Sequence, residues 1–398
     1  MGRLLDFVRT LAAPGARAAL LVLLPLGAGA DAPHVGVSRV SLSSGVAQTV
    51  SRQCGACHNP EFAIWTLHAH SRFLVDPSRD PRLVAARWGE KVPGWSEHVG
   101  GRFGPGDVAL AYGVIETQVY FRRDADGHRL LPAQWDHRSG GWEPLGPEAA
   151  AAAAAETTWE DGCAGCHTTG FSPADGTFVE AGAGCEACHG AGESHRKSGG
   201  RGAILRPSAL EPRLRSAICG ACHARGRDRV TGRPYPVGYE PGTAVESVFE
   251  IERPVPGETT ELFWPDGTER RPFMEYQAFL QSGHYRAGLS CTTCHLPHGS
   301  DQPRGLRRRT ADLCAGCHGE VLGAVVAHQS HPAGRADCVD CHMSPVNPGA
   351  GSGRVRTHTL RFLSPAASLA TGMPSSCTGT CHPGKDAAWA AAAMKGWR

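Results

Sequence analysis

Along most of this chain, apolar and polar positions alternate too briefly to build long helices or wide sheets. The clearest apolar run, Ala18 to Leu26, is interrupted by Pro25 and falls short of the roughly 20 residues a membrane-spanning helix needs. It follows Arg3, Arg9 and Arg17 and precedes Ala28-Gly29-Ala30. A charged start, a short apolar centre and a small-residue cleavage site predict an export signal over residues 1–30. Further on, Val114 to Phe121 reads as a strand, and Asp124-Ala125-Asp126-Gly127 as a turn. Glu148 to Glu156, with its alanine run, predicts a helix, as do Glu275 to Leu280 and Trp389 to Trp397. Between Arg229 and Pro272, Pro and Gly recur too often for long elements. The pattern predicts a mainly α fold with much irregular structure and a small β-rich insertion near residues 100–145. It forms one domain over residues 31–398, an N-terminal section (51–150) leading into a denser body (157–398).

Such short elements need something other than side chains at their centre, and the cysteines supply it. All 16 fall in pairs followed at once by His. The sites are Cys54/Cys57/His58, Cys163/Cys166/His167, Cys185/Cys188/His189, Cys219/Cys222/His223, Cys291/Cys294/His295, Cys314/Cys317/His318, Cys338/Cys341/His342 and Cys377/Cys381/His382. C-x-x-C-H is the attachment motif of c-type haem: two thiols form thioethers with the porphyrin vinyl groups, and the adjacent imidazole reaches the iron. Structural zinc sites also pair Cys with His, but they do not require His directly after the second Cys. In a chain with 20 His among 398 residues, eight of eight at that position excludes chance. The last site, Cys377-Thr378-Gly379-Thr380-Cys381-His382, has one extra residue, which a loop at Gly379 would absorb. The expected cofactors are therefore eight covalently bound haem c groups. With only twenty-odd residues between several of the sites, the haems themselves must form the core.

Iron has a second axial position, and the remaining histidines are its candidate ligands. His298 lies too near His295 to reach the far face of the same haem, so it should serve a neighbour. His195 and His331 stand close to other sites. His68 and His70 point apart, so one of them, His70, is the expected ligand. His284, His328 and His358 complete the set. His98 is a weaker candidate, His34 lies beside the cleavage point, and His128 and His137 are expected on the surface. Met343 and Met373 are alternative ligands, though a Met beside a haem more often packs. Irons carrying two His would be six-coordinate, with no face open to a substrate, and no catalytic residue is assigned.

Charge narrows the partners. Lys+Arg 40 against Asp+Glu 38 excludes the strongly basic face that nucleic acid wants. Nearly all the cations are Arg, which suits haem propionates because its planar fork pairs with carboxylates. The basic run Arg304-Gly305-Leu306-Arg307-Arg308-Arg309 would pair with propionates or lie in solvent, or dock an acidic redox partner.

Cys54-Gly-Ala-Cys57-His58 with Trp65 and His68/His70, Gly184-Cys185-Glu186-Ala-Cys188-His189-Gly190 and Cys338-Val-Asp-Cys341-His342-Met343 resemble multihaem c-type cytochromes. The group is the nitrifier tetrahaem cytochrome c and hydroxylamine oxidoreductase superfamily, and the likeness runs from about Ser51 onward. Phe279 to His298 is similar to octahaem members fused to tetratricopeptide repeats, with the repeats lacking here. The resemblance implies stacked haems, with His near one motif capping the iron of another. It also implies electron transfer between redox proteins, or from a quinol-oxidising membrane complex. The location implied is the periplasm or the cell surface, and a homo-oligomer or filament is a further expectation. Its relatives include enzymes, so reduction or oxidation of a small nitrogen or sulfur compound (nitrite, hydroxylamine, tetrathionate) at one open haem is the alternative. Two departures weigh against that. No motif here replaces its His by Lys, as ammonia-forming relatives do, and none of the six Tyr stands in a cross-linking motif.

Overall fold

In the computed structural model, the described residues are 50–398 except 76, 78–80, 89–103, 325–327, 329–330, 332–334, 346–354, 380 and 396–398. The export signal over residues 1–30, together with His34, His98 and Trp397, lies outside them.

Five antiparallel strands in sequential order form the main sheet: β1 (Leu74–Val75), β2 (Leu110–Tyr112), β3 (Thr117–Asp124), β4 (Gly127–Asp136) and β5 (Gly141–Pro144). The β3–β4 hairpin closes on the Asp124↔Gly127 pair, as the turn residues require. The strand expected from Val114 begins at Thr117 instead, and residues 114–116 form the β2–β3 connection. Alternation along β3 assigns its faces. Val119 and Phe121 join Leu74, Leu110, Trp159 and Ala164 in one cluster, whereas Tyr120 joins Val75, Ala111, Leu131 and Trp135 on the other side. The sheet is buried on both faces, and each fully buried large side chain contributes about 1.5–3 kcal/mol. It also reaches back to Leu74, well before the expected start of the β-rich insertion.

The remaining elements are short. The alanine run forms a helix at Pro147–Ala154, and the predicted helix Glu275–Leu280 is observed with those bounds. The C-terminal helix is Ala387–Ala393. Between Arg229 and Pro272 the chain makes only a single 3₁₀ turn (Val245–Ser247) and a three-residue strand (Phe249–Ile251). That strand packs with Ala217, Val245 and Tyr276 under the helix Pro212–Gly220, which carries Cys219. A Cβ at Gly220 would lie 2.6 Å from the Tyr276 ring, so only glycine allows this approach.

Hydrogen bonds tie the N-terminal segment to the third cysteine site. Ser51 donates from its backbone N and its Oγ to the buried Glu180 carboxylate at 3.0 and 2.7 Å. Cys185 N donates to Ser51 Oγ at 2.9 Å, and Trp65 Nε1 to the Ala183 carbonyl at 3.0 Å. Two sites far apart in sequence are thereby held side by side.

Candidate functional site

Four of the eight cysteine sites fold as a single helical turn, at Ala164–His167, Cys185–His189, Cys291–Cys294 and Cys338–His342. Each turn is stopped or capped locally. Asp337 caps the last of them by accepting from Cys338 N, and Gly190 turns the chain away after His189 at φ 70°. A turn of this length presents two thiols and the following imidazole to one side, as thioether attachment demands.

Those sides converge. Seven of the eight sites line one continuous cavity of about 3510 Å³, partly open to solvent and several times the 300–1,000 Å³ of an ordinary small-molecule pocket. The sites also neighbour one another through their thiols. The thiol of Cys54 interacts electrostatically with that of Cys185, Cys166 with Cys222, Cys219 with Cys291, and Cys314 with Cys338. Electrostatic contacts link Cys188 to Cys222, Cys294 to Cys317, and Cys341 to Cys377. Numbering the sites along the sequence, these contacts join sites one, three, four, five, six, seven and eight in a line. Site two branches from site four.

Across the cavity, histidine rings face each other in pairs. His58 faces His195 with ring centres 6.3 Å apart, His189 faces His298 at 6.1 Å, and His295 faces His358 at 6.4 Å. His342 faces His328 at 6.0 Å and His382 faces His331 at 6.4 Å. These five pairs are inclined by 35° or less. His223 and His70, at 6.3 Å and 66°, and His318 and His284, at 5.9 Å and 68°, face each other steeply. Every pair joins one motif histidine to one histidine outside the motifs. A metal–imidazole bond of about 2 Å on each side, plus about 1.1 Å from nitrogen to ring centre, requires a separation of about 6.2 Å. The residues therefore fit an iron held between two imidazoles, and His70, His195, His284, His298, His328, His331 and His358 are all so placed.

Hydrogen bonds fix which nitrogen is offered. Nδ1 of His189, His195, His295 and His358 lies 2.9–3.1 Å from a backbone carbonyl, of Leu205, Gly202, Arg304 and Arg356 respectively. Each Nδ1–H then donates there and leaves Nε2 free for iron, the usual outer support of a metal-bound imidazole. His223 differs, because its Nδ1 lies 3.3 Å from the Glu275 carboxylate. Burial, then the neighbouring His223 and His68, lowers His70 to about 3, and burial also lowers His295, His298, His342 and His358. Neutral imidazole is the form that binds metal. Burial pushes the Cys163 and Cys188 thiols up to about 12, whereas the neighbouring Cys219 thiol lowers Cys291 to about 7. Among the described residues no three His, Cys, Asp or Glu side chains converge as zinc ligands would.

Site two stands apart. Among the described residues no histidine faces His167. Its ring packs instead against Tyr112 at 4.6 Å and Phe73 at 5.0 Å, and its buried Nδ1 has no hydrogen-bond partner. The spacing of this site does not distinguish it from the others, so nothing in the sequence signals the difference. A glycine inside the motif is forced here, because a Cβ at Gly165 would lie 2.1 Å from the Tyr235 ring.

The other histidines have local roles. His68 accepts from His70 N at the start of the turn Ala69–Arg72, and its ring is seated against Gly299 and Gly305. The expectation of exposure fails for His128 and His137. His128 is half-buried, with Nδ1 2.6 Å from Glu160, and Nε2 of His137 is buried. Pairing across the sheet edge, invisible in a turn-rich stretch of sequence, draws His128 inward. In the basic run, Arg304 pairs with Glu116 at 3.3 Å and Arg309 with Asp312 at 2.9 Å, so both meet carboxylates of the chain itself.

Residues 284–323 match the family model of the doubled CXXCH motif, and residues 133–190 that of cytochrome c554 and c-prime. The chain is 26% identical over 148 residues to the multiheme cytochrome MtrA of Shewanella baltica (strain OS185). That match covers 36% of this chain and 44% of MtrA, so it spans less than half the length of this curated relative. In fold, the chain is similar to the outer cell wall cytochrome OcwA, with a TM-score of 0.70 at 22% identity over 88% of this chain and 86% of that one. The undecaheme cytochrome from the S-layer of Carboxydothermus ferrireducens gives a TM-score of 0.52 at 20% identity, over 90% of this chain and 60% of that one. Short helices around small antiparallel sheets are thus a multihaem cytochrome fold. None of these matches singles out the nitrifier and hydroxylamine-oxidoreductase group or the repeat-fused members.

Proposed function

We propose that this chain, a multihaem c-type cytochrome by its motifs and fold, carries electrons along eight covalently attached haem c groups between redox partners outside the cytoplasm. The observation that carries the reading is the set of seven facing histidine pairs, one motif His in each. Iron closed by two imidazoles keeps its ligands on oxidation and reduction, and axial ligation, burial and hydrogen bonding set its potential. The haem supplies the one-electron chemistry when bound. The chain's own residues would hold it by two thioethers and orient the imidazoles through Nδ1–H donation.

Neighbouring thiol sites put the attached haems close enough to hand electrons along the line from Cys54 to Cys381. The export signal over residues 1–30 would deliver the chain to the periplasm or cell surface, with cleavage near Ala30. No helix among the described residues is long and apolar enough to cross a membrane. Donor and acceptor would be redox proteins or a quinol-oxidising membrane complex, with assembly of several copies into a filament as an extension of the same path. The narrower kinship with nitrifier and hydroxylamine-oxidising cytochromes belongs to this proposal too.

Two measurements test it together. The intact mass should exceed that of the polypeptide by eight haems, and a lower count would remove the eight-haem path. Electron paramagnetic resonance of the oxidised protein should resolve two low-spin classes. The five gently inclined pairs give the ordinary rhombic signal, and the two steep pairs give a strongly anisotropic one. A spectrum without the second class contradicts the pairing of His70 with His223 and of His284 with His318. A second reading, chemistry on a small molecule at one open haem, is favoured by a single observation, the ring of His167 with no facing histidine among the described residues.

A further inference from the structure

We propose that Arg356 is a positioning residue for two haems at once. Its side chain clamps the motif turn of the haem at Cys338 and Cys341, and its backbone carbonyl holds His358, the distal ligand of the haem at Cys291 and Cys294. The inference rests on the paired-histidine, electron-carrying reading above and assigns a residue within it that acts through others.

The five-residue helix Cys338–His342 leaves most of its last carbonyls without partners inside the helix. Arg356 Nη1 donates to the carbonyls of Val339 and Met343 at 2.7 and 3.1 Å, and Nη2 donates to Asp340 Oδ1 at 2.8 Å. Asp340 stands between the two cysteines of the motif, and its other oxygen accepts from Asp337 N at 2.9 Å. One guanidinium therefore ties down both ends of the turn that presents the thiols and His342. A planar fork of fixed donors suits this task, whereas the Lys ammonium is a single point of charge. The backbone continues the contact: Thr357 N donates to the Ser344 carbonyl at 3.1 Å, and Arg356 forms an antiparallel bridge with Pro345.

Two residues further on, His358 turns back so that its Nδ1 lies 2.9 Å from the Arg356 carbonyl, while its ring faces His295 at 6.4 Å and 28°. Thr357, fully buried between them, donates to Glu269 Oε2 at 2.9 Å and keeps the segment from sliding. Carbonyls of Leu205, Gly202, Arg304 and Arg356 receive Nδ1–H from a ligand histidine. Among the described residues, only Arg356 of these four also hydrogen-bonds a second cysteine site through its side chain. Site six stands between sites five and seven in the line of thiol contacts, so Arg356 joins two sites that are not successive. A shift in the motif turn of one is passed to the axial imidazole of the other.

Spectroelectrochemical titration of the full-length holoprotein tests this. His358→Met and His328→Met, each exchanging one distal ligand, mark the components of the two haems. Arg356→Ala should displace two components in opposite directions and leave six unmoved. The haem at site five rises, because a released carbonyl no longer draws on Nδ1–H and the imidazole becomes the weaker donor. The haem at site seven falls, because a cation beside its motif no longer disfavours ferric iron. Each redox equilibrium should change about tenfold, which is about 59 mV for one electron. Arg356→Lys keeps the charge without the fork, so it should raise the site-five component and leave site seven within about twofold. That variant decides the matter if the alanine variant does not mature. A site-five component that stays put or falls in either variant overturns the assignment, as does a site-seven component indifferent to Arg356→Ala. Were His358→Met to displace no component, the ligand pairing itself would fail, independently of the Arg356 variants.

Discussion

A chain produced where haem cannot be attached will fail to fold. Its far-ultraviolet circular dichroism should show little helix, and heating should give no cooperative transition. The reason is the cavity of about 3510 Å³ that seven cysteine sites surround. No side chain fills that space, and without porphyrin its largely apolar walls would face water. The protein clusters cannot compensate. The helix of the fourth site, for instance, rests on a small group built around Ala217, Val245, Phe249 and Tyr276. Thioether attachment and folding are thus one event, as metal binding and folding are in small metal-dependent domains. A folded, cooperatively melting, colourless chain would show that the side chains alone suffice.

The second large effect concerns the junction. Glu275→Gln should raise the potential of a single haem, the one held between His223 and His70, by about 60–120 mV. Glu275 opens the helix Glu275–Leu280, and Oε2 lies 3.3 Å from His223 Nδ1. Burial alone would raise the Glu275 carboxyl. The hydrogen bond from His223 Nδ1 opposes that and favours the carboxylate. A carboxylate accepting from the ligand's Nδ1–H pushes electron density toward the iron and favours the ferric state. Glutamine keeps the shape and loses the charge, so the ferric state loses support and the potential rises. Outer-shell changes of this kind alter metal-site properties about 10- to 100-fold, and tenfold is about 59 mV for one electron. Because sites two, three and five all border site four, raising its potential makes it a trap and slows transfer through the line. Spectroelectrochemical titration should show one component of eight displaced upward and seven unmoved. A uniform shift, or none, would mean that the carboxylate acts only in packing.

How much of this was legible beforehand depends on the range of the interaction. The cysteine sites are local patterns, and thioether chemistry leaves no freedom in their spacing, so they could be read directly. The histidines outside the motifs were legible for a related reason. His298 sits three residues beyond His295 and cannot bend back to the same iron, and the structure turns it toward His189. Because His68 and His70 diverge, only one of them was expected to serve, and in the fold His70 faces His223 while His68 lies against the glycines of the 299–305 loop. Contacts made across the fold left no such trace. Glu275 meets His223 from 52 residues away, and His128 finds Glu160 from 32 away. The strand Leu74–Val75 is too short to carry an alternation of its own and exists only because Leu110–Tyr112 pairs with it. The absence of a facing histidine at His167 is likewise a property of how the sheet packs, since Cys163-Ala-Gly-Cys166-His167 has the same form as its neighbours.

Iron–ligand assignments from an experimental structure of the purified holoprotein would test the central claim most directly. They should give His58 with His195, His189 with His298, His223 with His70, His295 with His358, His318 with His284, His342 with His328 and His382 with His331, each pair across one haem iron. Finding other partners across those irons, or a different metal gripped by the cysteine sulfurs, would contradict it.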